Sequence, residues 1–357
     1  MFFKDWYKRE YPIFLYQKNK IDIVPAFCYH HVTANEFDDH LEYLEKNEYN
    51  TLTAQEFYEA QKAGAHGVER SVLITFDDGT RDVYDVVFPL LKKYLMKAVV
   101  FIIPGWVGKD NMLTWPQIQE MHQSGLVDFQ SHSMNHPAIF VSTEVLDYYR
   151  PRLTNLSNWN APVIQKNGEI RYGEAPSVGQ PIYEFHSRFS DLPRFVPDEN
   201  LQRHCQAYVQ NNGGETFFHQ KTWRENLNKT LEAWREEQNL SERFETIGEQ
   251  VSNIRNELEA SKQIIEEQLP GKQVEFFACP WNVTSALTNQ LLRESNYKIA
   301  FIGIKMDPSW ECDSSEFFCT KRISGDFVKC LPGRGRQSVG RVIFSKMIRR
   351  IFAGVNY

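Results

Sequence analysis

The most informative segment of this chain is Val72-Leu73-Ile74-Thr75-Phe76-Asp77-Asp78-Gly79. Its first residues form an apolar run typical of a buried strand, and two adjacent carboxylates follow where that strand ends. A second short apolar run, 126–129, is followed by His132 and His136. In a parallel α/β fold, residues just past the ends of the strands meet at one rim. We therefore expect these carboxylates and imidazoles to face a common site.

The residue types at this rim suit a metal ion. One carboxylate and two imidazoles form a ligand set for a first-row divalent ion and leave coordination positions open. The second carboxylate is then free to act as a base. A lone Asp-Asp-Gly is usually a turn, so the prediction of a metal site depends on the combination of the two motifs. Together they predict metal-assisted hydrolysis of an amide or an ester.

Strands and helices alternate on both sides of this site. Apolar runs predict strands at 24–29, 72–76, 98–103, 126–129, 274–279 and 298–304. Apolar residues at helical spacing predict helices at 36–48, 83–95, 114–125 and 285–295. This alternation predicts an α/β fold with a parallel sheet or a barrel, interrupted between about 140 and 270.

The interrupting segment has a different character. Residues 150–200 are rich in Pro, Gly, Asn and Ser, which predicts irregular loops. Within the charged stretch 222–268, a heptad-like seam consists of Phe244, Ile247, Val251, Ile254 and Leu258. The seam predicts a long amphipathic helix, half of a helical hairpin. Because the seam is short, packing on its own domain is the preferred interpretation, and a surface for a homo-oligomer is the alternative.

The C-terminal tail is basic. Beyond Asp326 there is no acidic residue, and the cations are Lys329, Arg334, Arg336, Arg341, Lys346, Arg349 and Arg350. Its apolar residues are Val342, Ile343, Met347, Ile348, Ile351 and Phe352. A terminal helix that packs on the domain with a solvated basic face is the preferred interpretation, and peripheral contact with an anionic membrane is the alternative. We divide the chain into a barrel (20–140 and 273–330), an insertion (141–272) and the tail (331–357).

Composition excludes some classes of protein. The chain has 357 residues, 24% of them charged, and a net charge of -6, which argues against a nucleic-acid partner. Six cysteines without a Cys-x-x-Cys pair indicate neither a zinc ribbon nor a disulfide framework, which favours a reducing compartment. Residues 1–10 carry charges of both signs and no apolar core, so we expect no secretory signal peptide. We therefore expect a cytoplasmic protein, with the inner face of the membrane as a peripheral location.

Four motifs carry a family resemblance. Residues 75–79 and His132-Ser133-x-x-His136 resemble the first two motifs of the NodB-homology polysaccharide deacetylases, carbohydrate esterase family 4. Residues 277–281, Phe-Ala-Cys-Pro-Trp, are similar to a degenerate third motif. Residues 29–32, Tyr-His-His-Val, resemble the opening of the circularly permuted poly-N-acetylglucosamine deacetylases. The resemblance covers roughly 24–140 and 273–325, where it implies a distorted (β/α) barrel, and it does not explain 140–270 or the tail. The sequence pattern of 141–272 adds a largely helical and irregular insertion to that barrel.

The resemblance assigns roles by position. It implies that Asp78, His132 and His136 hold a divalent metal ion, with Zn²⁺ as the preferred candidate. It implies that Asp77 is the general base.

Further roles follow from the same resemblance. His30 is implied as the general acid, with His31 as the alternative, and the backbone N–H of Trp281 as the oxyanion donor. The family usually carries an arginine that orients the base at the position of Ala278. Arg322, near the end of another strand, is our candidate for its replacement.

The function that this implies is metal-dependent hydrolysis of the N-acetyl group of an amino sugar. The partner would be an N-acetylated carbohydrate, in a polysaccharide or in its lipid- or nucleotide-linked precursor. Two alternatives stay open: a deformylase acting on a lipid-linked formamido sugar, and a non-catalytic carbohydrate-binding or scaffold protein.

Overall fold

The structure is a computed structural model that describes residues 11–17, 21, 23–64, 70–150, 161–239, 242–303 and 316–353. The chain divides into two units, Met1–Met134 with Glu257–Tyr357, and Asn135–Asn256. The second unit begins and ends earlier than the predicted insertion. The segment for which we expect no signal peptide, 1–10, lies outside the described residues.

The regular elements of the described residues are numbered in chain order. The strands are β1 (Ala26–Tyr29), β2 (Asn50–Thr51), β3 (Ser71–Phe76), β4 (Ala98–Ile102), β5 (Val127–Ser131), β6 (Ala138–Tyr148), β7 (Ile164–Lys166), β8 (Glu169–Arg171), β9 (Pro181–Ser187), β10 (Phe195–Val196), β11 (Arg243–Phe244), β12 (Phe276–Ala278), β13 (Ile299–Gly303) and β14 (Phe318–Ser324). The α-helices are α1 (Ala34–Lys46), α2 (Ala54–Lys62), α3 (Phe88–Tyr94), α4 (Trp115–Gln123), α5 (Glu199–Asn211), α6 (Trp223–Gln238), α7 (Ile247–Gln268), α8 (Ala286–Glu294) and α9 (Val339–Ala353).

The first unit is a closed parallel barrel. Its strands follow the order β1-β14-β13-β12-β5-β4-β3, and β3 pairs back with β1 to close the ring, while β2 pairs with the outside edge of β3. Every residue of β3 and β4 is buried, as expected for parallel strands covered on both faces. Large side chains from several strands, among them Leu73, Phe101, Phe276 and Phe301, form one buried cluster. The predicted α/β barrel is confirmed.

The helices of the barrel begin where their capping residues predict. Thr33 accepts a hydrogen bond from the backbone N–H of Glu36 at the start of α1, and Thr114 forms a capping box with Gln117 at the start of α4. The helix predicted at 83–95 forms as a π-helical turn, Val83–Val87, that continues into α3. The chain therefore alternates strand and helix as its sequence pattern indicated.

Strand β14 escaped prediction, although it completes the ring. Thr320 and Arg322 point into the buried interior and interrupt the apolar pattern by which buried strands are recognised.

The same strand holds Cys319, which is disulfide-bonded. A disulfide removes the cysteine argument for a reducing compartment. The cytoplasmic location stays a prediction without that support.

The second unit is a mixed α/β structure. Strands β6 and β9 form an antiparallel pair, and β7–β8 and β10–β11 form two further pairs. Helices α5 and α6 pack on a cluster that includes Tyr148, Leu201 and Leu227. The prediction of irregular loops over 150–200 is therefore wrong for much of its described part. Scattered Pro and Gly signalled loops, but most of those in the described residues lie between these short elements, and Pro181 begins β9.

The long helix of the predicted seam is α7. Ile254 and Leu258 are fully buried, as the seam requires, whereas Phe244 lies in β11 and Ile247 is exposed. The seam is therefore shorter than predicted, because the helix begins only at Ile247. A homo-oligomer formed through this segment stays a prediction.

The basic tail forms α9 up to Ala353, and 354–357 lie outside the described residues. Val342 packs inward, and Lys346 forms an ion pair with Asp326, with 2.6 Å between Nζ and Oδ2. Among the side chains of this helix that the structure describes, four large apolar ones are exposed: Ile343, Phe344, Met347 and Ile348. Among the helices that the structure describes, none combines the length and apolar character needed to cross a bilayer.

Candidate active site

The barrel brings the chemically equipped residues to one rim. Strand β1 pairs with β3 so that Tyr29 lies beside Phe76, and His30 and Asp77 therefore leave neighbouring strand ends. Across the ring, β5 pairs with β12 through Ser131 and Phe277. Because all these strands are parallel, their carboxyl ends face the same side. The site is assembled from residues distant in the chain.

Three of the predicted residues form a group suited to a metal ion. The ligand atoms that Asp78, His132 and His136 offer all lie within 4.8 Å of one another. His132 is buried, and its Nε2 lies 3.4 Å from Oδ1 of Asp78. The structure thus brings together the three side chains that the sequence predicted as ligands.

The orientation of His132 supports this fit. Its Nδ1 lies 2.7 Å from the carbonyl oxygen of Ala278. A carbonyl oxygen only accepts hydrogen bonds, so Nδ1 carries a proton, and in the neutral imidazole Nε2 then keeps its lone pair. Metal-binding histidines are typically held in this way by a partner on the other ring nitrogen. The donor set and its support therefore fit a divalent ion.

The backbone at this rim is held in unusual conformations. Asp78, Ser133 and His136 have positive φ angles of 70°, 66° and 53°. Side-chain-bearing residues rarely adopt such angles, and they concentrate at functional sites. Gly79, with φ of 76°, cannot carry a side chain, because a Cβ atom would lie 2.8 Å from Cγ2 of Ile102. The Asp-Asp-Gly turn is thus fixed in shape by its packing on β4.

Asp77 is held by Arg322. The two guanidinium nitrogens Nη1 and Nη2 donate to Oδ1 and Oδ2 of the carboxylate, each at 2.6 Å, and both side chains are buried. Nη1 also donates to Oγ1 of Thr75 at 3.1 Å. Arg322 comes from β14, on the far side of β1 from β3. The structure thus places an arginine on Asp77 although Ala278 occupies the position from which the family usually supplies it.

The charges around Asp77 keep it ionised. Burial acts to raise the pKa of this carboxyl, but the charge of Arg322, with smaller contributions from His132 and His30, lowers the pKa to about 2. A carboxylate with so low a pKa accepts a proton only from an acidified donor. It therefore suits a base that acts on water already activated by another group.

The two adjacent histidines have different surroundings. Nε2 of His30 lies 3.9 Å from Oδ2 of Asp77, and the imidazole is 44% exposed. Nδ1 of His31 instead lies 3.3 Å from Oδ2 of Asp82. Burial lowers the pKa of His30, but the nearby Cys28, Asp77 and Asp78 raise it above its ordinary value overall. Of the two candidates for the acid, only His30 is at the site.

Trp281 lies in the turn after β12, where its φ angle is 54°. The next residue, Asn282, accepts a hydrogen bond from Nη2 of Arg322 at 3.4 Å through its Oδ1. The turn is therefore adjacent to the Asp77–Arg322 pair. The role of the Trp281 N–H as an oxyanion donor stays a prediction.

One residue of the site was missed from the sequence. The thiol of Cys28 lies 3.4 Å from Oδ2 of Asp77, and it belongs with His30 and Asp77 to a second compact group of candidate ligands. Its position two residues before His30 on a strand was the available signal, because alternate strand residues share a face. Asn282, which accepts a hydrogen bond from Arg322, carried no comparable signal in the sequence.

A closed barrel of parallel strands with these side chains at one rim matches the fold that the predicted resemblance to polysaccharide deacetylases implies. Comparison with known proteins agrees. Residues 65–175 match the family model described as polysaccharide deacetylase, which confirms the predicted resemblance.

One curated relative and two solved structures illustrate what this chain is similar to. The poly-beta-1,6-N-acetyl-D-glucosamine N-deacetylase of Staphylococcus epidermidis is 37% identical over 107 residues, which are 29% of this chain and 37% of that protein. The structure of IcaB from Ammonifex degensii superposes with a TM-score of 0.50 at 18% identity, covering 87% of this chain and 96% of that one. The BpsB deacetylase domain from Bordetella bronchiseptica also has a TM-score of 0.50 at 18% identity, covering 84% and 96%. These two structures share the fold.

The curated relatives are matched only in part. The chain spans less than half the length of those it matches. What those proteins act on therefore bears on this chain as a proposal.

Proposed function

We propose that this protein hydrolyses the N-acetyl group of an amino sugar, in a surface polysaccharide or its precursor, with the help of a divalent metal ion. The observation that carries the proposal is the buried Asp77–Arg322 pair beside the compact group formed by Asp78, His132 and His136. The deacetylase domain and the relative that deacetylates poly-N-acetylglucosamine support the choice of bond and substrate class.

Each residue has a task in this reaction. Asp78, His132 and His136 would hold the metal, which when bound would polarise the acetyl carbonyl and would lower the pKa of a water molecule from 15.7 to about 7. Asp77, kept ionised by Arg322, takes the proton from the attacking water. Zn²⁺ is the ion we favour, since imidazole and carboxylate ligands suit it.

The second half of the reaction needs a proton donor. An amine cannot leave as an anion, so the sugar nitrogen must be protonated as the C–N bond breaks. We assign this role to His30, because its Nε2 lies 3.9 Å from Oδ2 of Asp77 and its imidazole is partly exposed. The N–H of Trp281 would bind the oxyanion, and one such donor contributes roughly 2.7–4 kcal/mol to the transition state.

Product analysis tests the proposal. The intact protein, loaded with Zn²⁺, should release acetate from N-acetylglucosamine oligomers, and the release should stop with a chelator and return with added metal. Formate release from a formamido sugar, without acetate release, would favour the deformylase alternative. Carbohydrate binding that survives chelation, with no release of either acid, would favour a non-catalytic module.

We also propose that α9 attaches the protein to an anionic membrane surface. The exposed apolar side chains of Ile343, Phe344 and Met347 belong to a segment whose formal charges beyond Asp326 are all positive. An amphipathic helix with this combination binds through buried apolar area and attraction to anionic lipids. A location at the inner face of the membrane is part of this proposal.

Vesicle sedimentation tests this surface. The wild-type protein should partition onto phosphatidylglycerol-containing vesicles but not onto pure phosphatidylcholine. Replacing Ile343, Phe344 and Met347 together by serine should reduce this partitioning at least about ten-fold. Each substitution removes an apolar side chain that would insert into the membrane surface. Leu95→Ser, at an exposed leucine in the barrel unit, serves as the matched control. Equal partitioning of the triple variant and wild type would refute the membrane role.

A further inference from the structure

The second unit contains a buried arginine whose charge is not fully matched. Arg194 is 5% exposed, and among the described residues its Nε and Nη2 have no hydrogen-bond partner. A buried guanidinium normally satisfies its donors, because leaving them unpaired costs free energy. This side chain therefore calls for an acceptor that the described part of the chain does not supply.

The nearby carboxylate is already occupied. Glu245 accepts bonds at 2.6 Å from both Nη1 and Nη2 of Arg188, and its oxygens also accept from the backbone N–H of Arg194 and from Nδ2 of Asn253. Four donors saturate a carboxylate. Glu245 thus neutralises Arg188 and has no remaining oxygen lone pair for the side chain of Arg194.

A second glutamate, Glu249, lines the same cavity as this arginine and is occupied as well. Glu249 pairs with Arg243 at 2.8 Å and accepts from Thr246 at the start of α7. Three arginines therefore face two glutamates, which leaves one net positive charge on Arg194. Burial and the charge of Arg188 lower the pKa of Arg194, which Glu245 only partly opposes. An added anion would relieve this imbalance.

Arg194 lines a cavity of about 440 Å³ within the second unit. This volume lies in the range of small-ligand sites. Besides Arg194 and Glu245, the lining includes the polar side chains of Gln165, Ser252 and Asn253 and the apolar side chains of Ile170 and Val196. Residues whose amides and hydroxyls can bond to sugar hydroxyls thus line the same cavity as Arg194.

We propose that this cavity binds an acidic sugar, with its carboxylate or phosphate oxygens on the guanidinium of Arg194. The planar fork of arginine matches two oxygens of either group. The site lies in the second unit and does not include the residues of the candidate active site. Its test therefore stands or fails separately from the proposed deacetylation.

Calorimetric titration of the intact protein tests the proposal. Glucuronate and glucose 6-phosphate are the probes, with glucose and inorganic phosphate as the uncharged and the sugar-free comparisons. We expect saturable binding of at least one acidic sugar, at least ten-fold tighter than that of glucose and of inorganic phosphate. Equal binding of inorganic phosphate would overturn the sugar site, and no binding of either acidic sugar would overturn the anion site.

Variants assign the binding to Arg194. Arg194→Met should weaken binding of the acidic sugar at least ten-fold, and Arg194→Lys should weaken it several-fold, because an ammonium cannot form the two parallel bonds. Arg203→Met, at an exposed arginine of the same unit, is the matched control and should bind as wild type does. Unchanged binding by Arg194→Met would overturn the assignment.

Thermal unfolding separates a ligand site from a structural role. In the absence of probe, Arg194→Met should unfold at the same temperature as wild type or higher, because it removes an uncompensated buried charge. The acidic sugar should raise the unfolding temperature of wild type but not that of Arg194→Met. A variant that unfolds well below wild type would show that Arg194 only supports the fold.

Discussion

Asp77→Asn should lower the turnover number for N-acetyl hydrolysis by about 10²- to 10⁴-fold, the usual contribution of a general base. The amide keeps the shape of the carboxylate but cannot take the proton of the attacking water. The measurement is acetate release at saturating substrate. Full turnover by this variant would contradict the assignment of Asp77 as the base.

The same substitution should also destabilise the fold, because it leaves Arg322 buried without its counter-charge. Removing one partner of a buried ion pair costs about 3–5 kcal/mol, which urea unfolding would measure. The double variant Asp77→Asn, Arg322→Met should recover part of this stability and none of the activity. The exposed pair of Asp85 and Arg81 offers a control, since Asp85→Asn should change the stability by less than about 1 kcal/mol.

His132→Ala should abolish tight metal binding. The side chain offers Nε2 to the site while its Nδ1–H is held by the carbonyl of Ala278. Loss of a residue that merely supports a ligand costs about 10- to 100-fold in metal affinity, so loss of a ligand itself should cost more. Titration of the metal-free protein with Zn²⁺ measures this without any assay of activity.

Two further variants make the metal experiment decisive. His136→Ala should have a similar effect, because its ring lies in the same compact group. His186→Ala removes an exposed histidine of the second unit and should leave about one ion bound per chain. Tight binding retained by both His132→Ala and His136→Ala would refute the predicted ligand set.

Local patterns in the chain predicted most of the barrel. The apolar runs that became β3 and β4 are continuous, and each is followed by a turn or a motif that marks its end. Helices α1 and α4 begin at capping residues that the sequence displays. These features depend on neighbours within a few residues, so they can be recognised without knowledge of the fold.

The second unit was predicted less well, because local patterns do not show how its strands pair. Strand β6 has seven residues that are exposed or half-buried, and its partner β9 follows more than thirty positions later. Pairing of this kind depends on contacts between distant segments, and local composition does not encode it. The predicted seam failed at Ile247 because amphipathic spacing does not show where a helix begins.

In the candidate site, too, some features follow from local sequence motifs and others only from the fold. Asp77, Asp78, His132 and His136 could be identified because each motif is compact in sequence and combines residue types that one metal centre requires. Three contacts depend instead on which strands lie side by side when the ring closes. They are the ion pair of Arg322 with Asp77, the contact of the Cys28 thiol with Asp77, and the hydrogen bond of His132 to a backbone carbonyl oxygen. Chemical type is a property of each residue, whereas adjacency across a barrel arises only when strands from both ends of the chain pair.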